Sequence, residues 1–151
     1  MPGITVGVDG SANARYALQW AIKEAASKHE PLTVLVVNEV AASFWTHQPV
    51  TVPADASVLE LARQAATDLV DKTLSDLGEP GPASVTVHAI NGFAVDELVN
   101  ASRKADLVVL GARGGAQSGG LAHHAPLGSV CTKMLHHSKC PVVVVPVPQA
   151  D

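Results

Sequence analysis

Asp106-Leu107-Val108-Val109-Leu110-Gly111-Ala112-Arg113-Gly114, followed after thirteen residues by Gly128-Ser129-Val130 and then by the valine-rich run Pro141 to Val147, is the stretch whose reading decides the fold. Asp106 to Leu110 carries a continuous apolar run of strand length, the pattern of a strand covered on both faces. Glycines from Gly111 to Gly128 interrupt it, Ser129 to His137 returns with helical spacing, and Pro141 to Val147 reads as a last strand. Two parallel strands can be joined only by a crossover, so strand, glycine-rich loop, helix and strand make a βαβ unit.

The same grammar runs upstream. Ile4 to Val8 is a short apolar strand ending in Asp9-Gly10-Ser11. Asn13 to Lys28 then switches to helical spacing, with Ala17, Trp20, Ala21 and Ala25 on one stripe and Ser11 as the expected N-cap. Leu32 to Val37 is a β-branched-rich strand, and the irregular segment from Ala41 to Ser57 reads as a long loop or lid. A long helix follows, with Val58, Leu61, Ala62, Ala65, Leu69, Leu74 and Leu77 on its apolar stripe and Gly78 and Pro80 ending it. Ser84 to Ile90 alternates as a strand, and Ala94 to Arg103 reads as a short helix. Five strands alternating with four helices predict an α/β fold, an open five-stranded parallel sheet with helices on both faces in the Rossmann-like manner. No repeat or linker divides the chain, so residues 1–151 are expected to form a single domain.

The bulk composition agrees and excludes several classes of partner. At 151 residues, folding buries roughly 68–70% of the unfolded chain's surface, enough for one core. With 47% apolar but only 3% aromatic residues, that core is built from Ala, Val, Leu and Ile. Ten basic and fourteen acidic residues, with the basic ones scattered, argue against a nucleic-acid partner. No apolar run approaches the roughly 20 residues a bilayer span needs, and no signal-peptide pattern opens the chain, so no membrane partner and a cytoplasmic location are expected. Cys131 and Cys140, nine positions apart without a CxxC, indicate reduced thiols rather than a disulfide framework or zinc knuckle.

In open parallel sheets the ligand crevice lies outside the carboxyl ends of the strands, where the strand order reverses. The turns that matter are therefore Asp9-Gly10-Ser11, Val37-Asn38-Glu39 and the loop from Gly111. Glycines there let the backbone turn with positive φ and approach a phosphate closely, and amides opening the next helix favour an anion, with Ser129 as a further hydroxyl donor. The plainer alternative is a flexible loop followed by a helix that Ser129 caps. Asp9 likewise either meets a ligand or caps its own turn, and Arg113 either contacts phosphate or is solvated.

Five segments together resemble the universal stress protein family: Ile4-Thr5-Val6-Gly7-Val8-Asp9-Gly10-Ser11; the helix around Ala17-Leu18-Gln19-Trp20-Ala21; Asp106 to Gly114; Gly128-Ser129-Val130; and His136-His137-Ser138-Lys139-Cys140-Pro141-Val142-Val143-Val144-Val145. They run nearly end to end. In nucleotide-binding members the pattern is Gly, two residues, Gly, nine residues, Gly, then Ser or Thr. The resemblance implies an adenine nucleotide, ATP or AMP with or without Mg²⁺, as a regulatory ligand. It places Asp9 near adenine and ribose, Val37 beside the adenine, and Gly111, Gly114, Gly128, Ser129 and Val130 at ribose and phosphate; Gly10 and Ser11, in the turn with Asp9, and Arg113 are candidate contacts beside them. Thirteen residues separate Gly114 from Gly128 here, four more than the pattern, and the longer loop is expected to be disordered without ligand. Cys131 stands where a hydroxyl or small residue is commoner, so a phosphate donor is expected to be missing there.

Several other residues take bland readings. Adjacent His123 and His124 point in different directions and make a poor metal pair, His136 and His137 are expected to meet the carbonyls ending their helix, Trp20 to pack in the core, and Cys140 to be inert. No nucleophile elbow is present, and the glycine loop lacks the Lys-Ser/Thr pair of P-loop enzymes. No catalytic or metal residue is therefore assigned, the protein is not expected to be an enzyme, and any ATP hydrolysis should be slow and incidental. The rival is a dimeric member of the same family that binds no nucleotide and acts as a protein-interaction module; an enzyme of the wider adenine-nucleotide-binding α/β group comes third. Either leading reading includes a homodimer, because Val142 to Val145 is an apolar strand expected at an open sheet edge, as the resemblance also implies.

Overall fold

A computed structural model of the chain describes residues 3–9, 14–39, 56–78, 81–112 and 128–148. Within them the order is β1 (Ile4–Val8), α1 (Ala14–Lys28), β2 (Pro31–Glu39), α2 (Ala56–Leu77), β3 (Ser84–Gly92), α3 (Ala94–Ser102), β4 (Leu107–Gly111), α4 (Ser129–His137) and β5 (Val142–Val145). Every strand pairing is parallel, and the sheet order is β3-β2-β1-β4-β5. This is the expected α/β architecture. The N-cap expectation for Ser11, the segment 41–55, Pro80 and the loop 113–127 lie outside the described residues.

The order of strands explains where the helices go. From β1 the chain steps outward to β2 and β3, and right-handed crossovers put α1 and α2 on one face. It then returns across β1 to β4 and β5, a step in the opposite direction, so α3 and α4 land on the other face. Strand alternation divides the core accordingly. Ile4, Val6, Val8, Leu32, Val34 and Val109 meet α1 and α2, whereas Leu35, Val108 and Leu110 meet Leu98 of α3 and Cys131 and Met134 of α4.

The two faces are packed differently. Helix α1 buries Ala14, Ala17, Leu18, Ala21, Ile22 and Ala25 at spacings of three and four, and the four alanines let its axis lie close to the sheet. Trp20, at the margin of that stripe, packs against the core as expected. On the opposite face, close approach is obtained at the strand: a Cβ on Gly7 would come within 3.1 Å of both Leu98 and Leu110, so the missing side chain makes room for Leu98.

The stripe on α2 differs from the sequence expectation. Its buried positions are Ala66, Val70 and Thr73, with Leu69, Leu74 and Leu77 alongside, whereas Ala65 is exposed, Val58 is 46% exposed and Leu61 70%. The apolar residues near the helix start had drawn the predicted stripe one position off the face that meets β2 and β3. Thr73 is tolerated in the core because its hydroxyl donates to the Leu69 carbonyl at 2.7 Å. The helix ends at Gly78 as predicted, with φ 63° and an amide that donates to Leu74.

Strand lengths also differ. β2 and β3 pair from Pro31↔Ser84 to Glu39↔Gly92, so both outrun their apolar patterns: backbone ladder bonds, not side-chain hydropathy, set where they stop. β5 is shorter than predicted, ending at Val145 before Pro146, which has no N–H to give to a ladder.

Leu18, fully buried in the α1 face, should cost about 2–5 kcal/mol when replaced by Ala. The exposed Leu61→Ala change should stay within about 0.5 kcal/mol. Urea unfolding of both variants checks this, and similar losses would show that the α2 start is packed.

Candidate functional site

The strand order reverses between β1 and β4, and the ladder there is incomplete. β1 pairs with β2 through Val8↔Val36 and β4 with β5 through Gly111↔Val145, but the β1–β4 pairing stops at Val6↔Val109. The carboxyl ends of the two central strands therefore extend two residues past their mutual pairing, which is how a crevice opens at a topological switch point.

Two contacts tie the start of α4 to the end of β4, and a third ties that end to β5. The Gly128 amide donates to the Ala112 carbonyl at 3.2 Å, and the Ala112 amide donates to Val145 at 2.9 Å. The Cys131 thiol, only 3% exposed, donates to the Gly111 carbonyl at 2.9 Å. Gly128 is the N-cap of α4 and, as a glycine, supplies no side-chain cap to the opening amides of the helix. A residue with positive φ was expected in this turn. Gly128 instead has φ −58° and ψ 158°, backbone that any residue can adopt. Among the described residues, a Cβ added there would meet the Ala112 carbonyl at 3.7 Å, an ordinary contact, so the glycine is not needed to relieve backbone strain.

The sequence-selected residues divide into those brought to this edge and those not described. Asp9 follows β1 and is exposed; Val37 lies near the end of β2, half-buried beside the α3/α4 core; Gly111 ends β4; and Gly128, Ser129 and Val130 open α4. Gly10, Ser11, Arg113 and Gly114 lie outside the described residues, as do His123 and His124. The Cys131 side chain faces inward, in keeping with the expectation that it gives no donor to a ligand. His136 and His137 are exposed, and the Met134 carbonyl near the helix end accepts from the Ser138 amide at 2.8 Å.

Two features were missed. Asn38 and Asn91, paired across β2 and β3, are linked by an Asn38 Nδ2 to Asn91 Oδ1 hydrogen bond of 3.1 Å. Nothing in the sequence could join them without the strand register. Phe93, the N-cap of α3, is 58% exposed beyond the end of β3. Among the described residues, no group of His, Cys, Asp and Glu could hold a metal ion, and no helix is long and apolar enough to cross a membrane.

The model of the universal stress protein family matches residues 2–146, and the chain belongs to that family. A universal stress protein of Mycolicibacterium smegmatis is 34% identical over 147 residues, which cover 95% of this chain and 47% of that protein. The chain thus spans about half the length of the curated relatives it matches. Among solved structures, the universal stress protein UspA from Lactobacillus plantarum aligns with a TM-score of 0.74 at 24% identity, over 95% of this chain and 97% of its own. A universal stress protein in complex with cAMP gives 0.65 at 24%, over 96% of each chain, and one from Archaeoglobus fulgidus in complex with dAMP gives 0.60 at 19%, over 96% and 98%. These likenesses establish the fold.

Burial pushes the Cys131 thiol up from its ordinary value, so less thiolate is present at mildly alkaline pH and alkylation slows. Cys140, expected to be inert, is instead half-buried, so peptide mapping after iodoacetamide treatment at pH 8 should find it modified first and Cys131 only on unfolding. Equal rates in the native protein would contradict the inward position of Cys131.

Proposed function

We propose that the protein binds an adenine nucleotide, ATP or AMP, at the carboxyl ends of its strands and serves as a regulatory stress-response module rather than as an enzyme. The observation that carries this reading is the early end of the β1–β4 ladder at the switch point, beside which the start of α4 is held on β4 by the Cys131 thiol. Amides at such a helix start attract phosphate. The cAMP and dAMP complexes of two structural neighbours support an adenine ligand.

In this reading Ser129, Val130 and Gly128 receive phosphate, together with Gly111, Arg113 and Gly114. Asp9, with Gly10 and Ser11, faces the ribose and adenine, and Val37 packs beside the base. Mg²⁺ would arrive with the phosphates. Hydrolysis stays slow because nothing assigned to the site is an activated base or nucleophile. The reading treats residues 1–151 as one cytoplasmic domain.

At about 100 times its dissociation constant, ATP should stabilise the fold by roughly 2.7 kcal/mol, a melting rise of about 5–11 °C for a domain of this size. GTP should do much less. Equal shifts for both, or none for either, would remove the nucleotide reading. Gly128→Val should keep the unliganded melting temperature, since the backbone there suits a β-branched residue, yet lose the response to ATP. A folded Gly128→Val protein that binds normally would exclude this loop.

The reading includes a homodimer formed through β5. β5 is an edge strand whose four valines are all only half-buried, so its open hydrogen-bonding side suits a second copy. Sedimentation at micromolar concentration should give a dimer, converted to folded monomer by Val144→Lys. A monomeric starting protein, or a dimer indifferent to that change, would overturn this part.

A further inference from the structure

We infer that Cys131 is a positioning residue of the nucleotide site: by donating its thiol to the Gly111 carbonyl it fixes the start of α4 on β4 and so sets how much the phosphates add to binding. The inference rests on the nucleotide reading above and adds to it a side chain outside the residues assigned to the ligand.

Position comes first. Gly111 ends β4 and Gly128 caps the start of α4, and a connection as long as residues 113–127 does not by itself dictate where a helix begins. Among the described residues, two hydrogen bonds supply that restraint. The Gly128 amide donates to Ala112 at 3.2 Å, and Cys131 Sγ donates to Gly111 at 2.9 Å. The side chains that α4 buries are those of Cys131 and Met134, so Cys131 anchors the first turn and Met134 the next. The amides of Ser129, Val130 and Cys131 precede the first bond within the helix, which runs from the Thr132 amide to the Gly128 carbonyl at 3.1 Å. Two of those amides therefore lie between the two restraints, and the third belongs to Cys131 itself. Hydrogen bonds weaken steeply with misalignment, so a first turn that drifts on β4 serves a phosphate poorly.

Chemistry comes second. A thiol is a weak donor, but Cys131 is buried among Leu35, Leu98, Val108 and Leu110. Water does not compete there, and the bond is stronger than it is in solvent. Burial also pushes the thiol's pKa up, which keeps the proton on sulfur at neutral pH and the donor in place. A cysteine that only filled space would act as a small hydrophobe. Its loss would then weaken all parts of the ligand alike, or none. A tether that aims the opening amides of α4 affects the phosphates alone.

The test is the ratio of dissociation constants for adenosine and ATP, measured by calorimetry on the full chain for the starting protein, Cys131→Ala and Cys131→Ser. Alanine and serine are both smaller than cysteine and differ from each other by a hydroxyl, so the pair separates the donor from the lost bulk. Cys131→Ala should lower the ratio by about threefold or more, the scale of one hydrogen bond, with the affinity for adenosine unchanged. Cys131→Ser should recover most of that loss. Urea unfolding shows whether the variants fold; if the alanine variant does not, Cys131→Val restores bulk without a donor and should lose the ratio in the same way. A folded donor-free variant that keeps the ratio, or a serine variant as low as alanine, overturns the inference and leaves the nucleotide reading standing. So does a starting protein that binds ATP no more tightly than adenosine. A starting protein that binds neither overturns both.

Discussion

The parallel pairing of β1 with β4 is the contact on which the rest of the molecule depends. With β1 already paired with β2, the chain returning from β3 extends the sheet on the far side of β1 rather than beyond β3. That return reverses the direction of travel and, with right-handed crossovers, sends α3 and α4 to the face opposite α1 and α2. The two-layer core follows from it: Val6 and Val109 turn to one face, Leu110 to the other, and Gly7 leaves the space into which Leu98 fits. The switch point follows as well, since the connections of β1 and β4 leave toward opposite faces and their mutual ladder stops at Val6↔Val109.

What the crevice can do depends on how rigidly α4 is placed. A helix start attracts anions only weakly when it is mobile and solvated, and the effect grows when the amides are fixed in a partly enclosed position. Here Gly128, Ala112 and Val145 are joined by successive backbone hydrogen bonds, and the buried Cys131 thiol adds a contact to Gly111. The residue that had looked like a lost phosphate donor is thus a tether between helix and strand. Gly128 has ordinary backbone that any residue could adopt, so it is not there to relieve strain.

Much of this was legible in the sequence, for reasons that can be named. Buried parallel strands write themselves as continuous apolar runs, so β1, β4 and the strand-loop-helix passage after β4 could be read directly. Helix α1 was legible because its alanines recur on one stripe. The start of α2 was misread because Val58 and Leu61 carry apolar character that burial does not use. β2 and β3 outran their hydropathy because Asn38 and Asn91 belong to a ladder that backbone bonds sustain. The Asn38–Asn91 pair and the Cys131 tether depend on register and on the approach of segments distant in sequence. Those quantities exist only once the chain has folded.

The central claim is that an adenine nucleotide occupies the carboxyl edge between β1 and β4. Amide hydrogen exchange of the native protein with and without saturating ATP tests it most directly, because it locates the ligand along the chain. The account predicts slowed exchange at Val37 and Asn38, at Gly111 and Ala112, and at Ser129 to Cys131, with no change at the opposite edge around Asp106 and Lys139. Unchanged exchange throughout, or protection confined to residues away from the strand carboxyl ends, would contradict it.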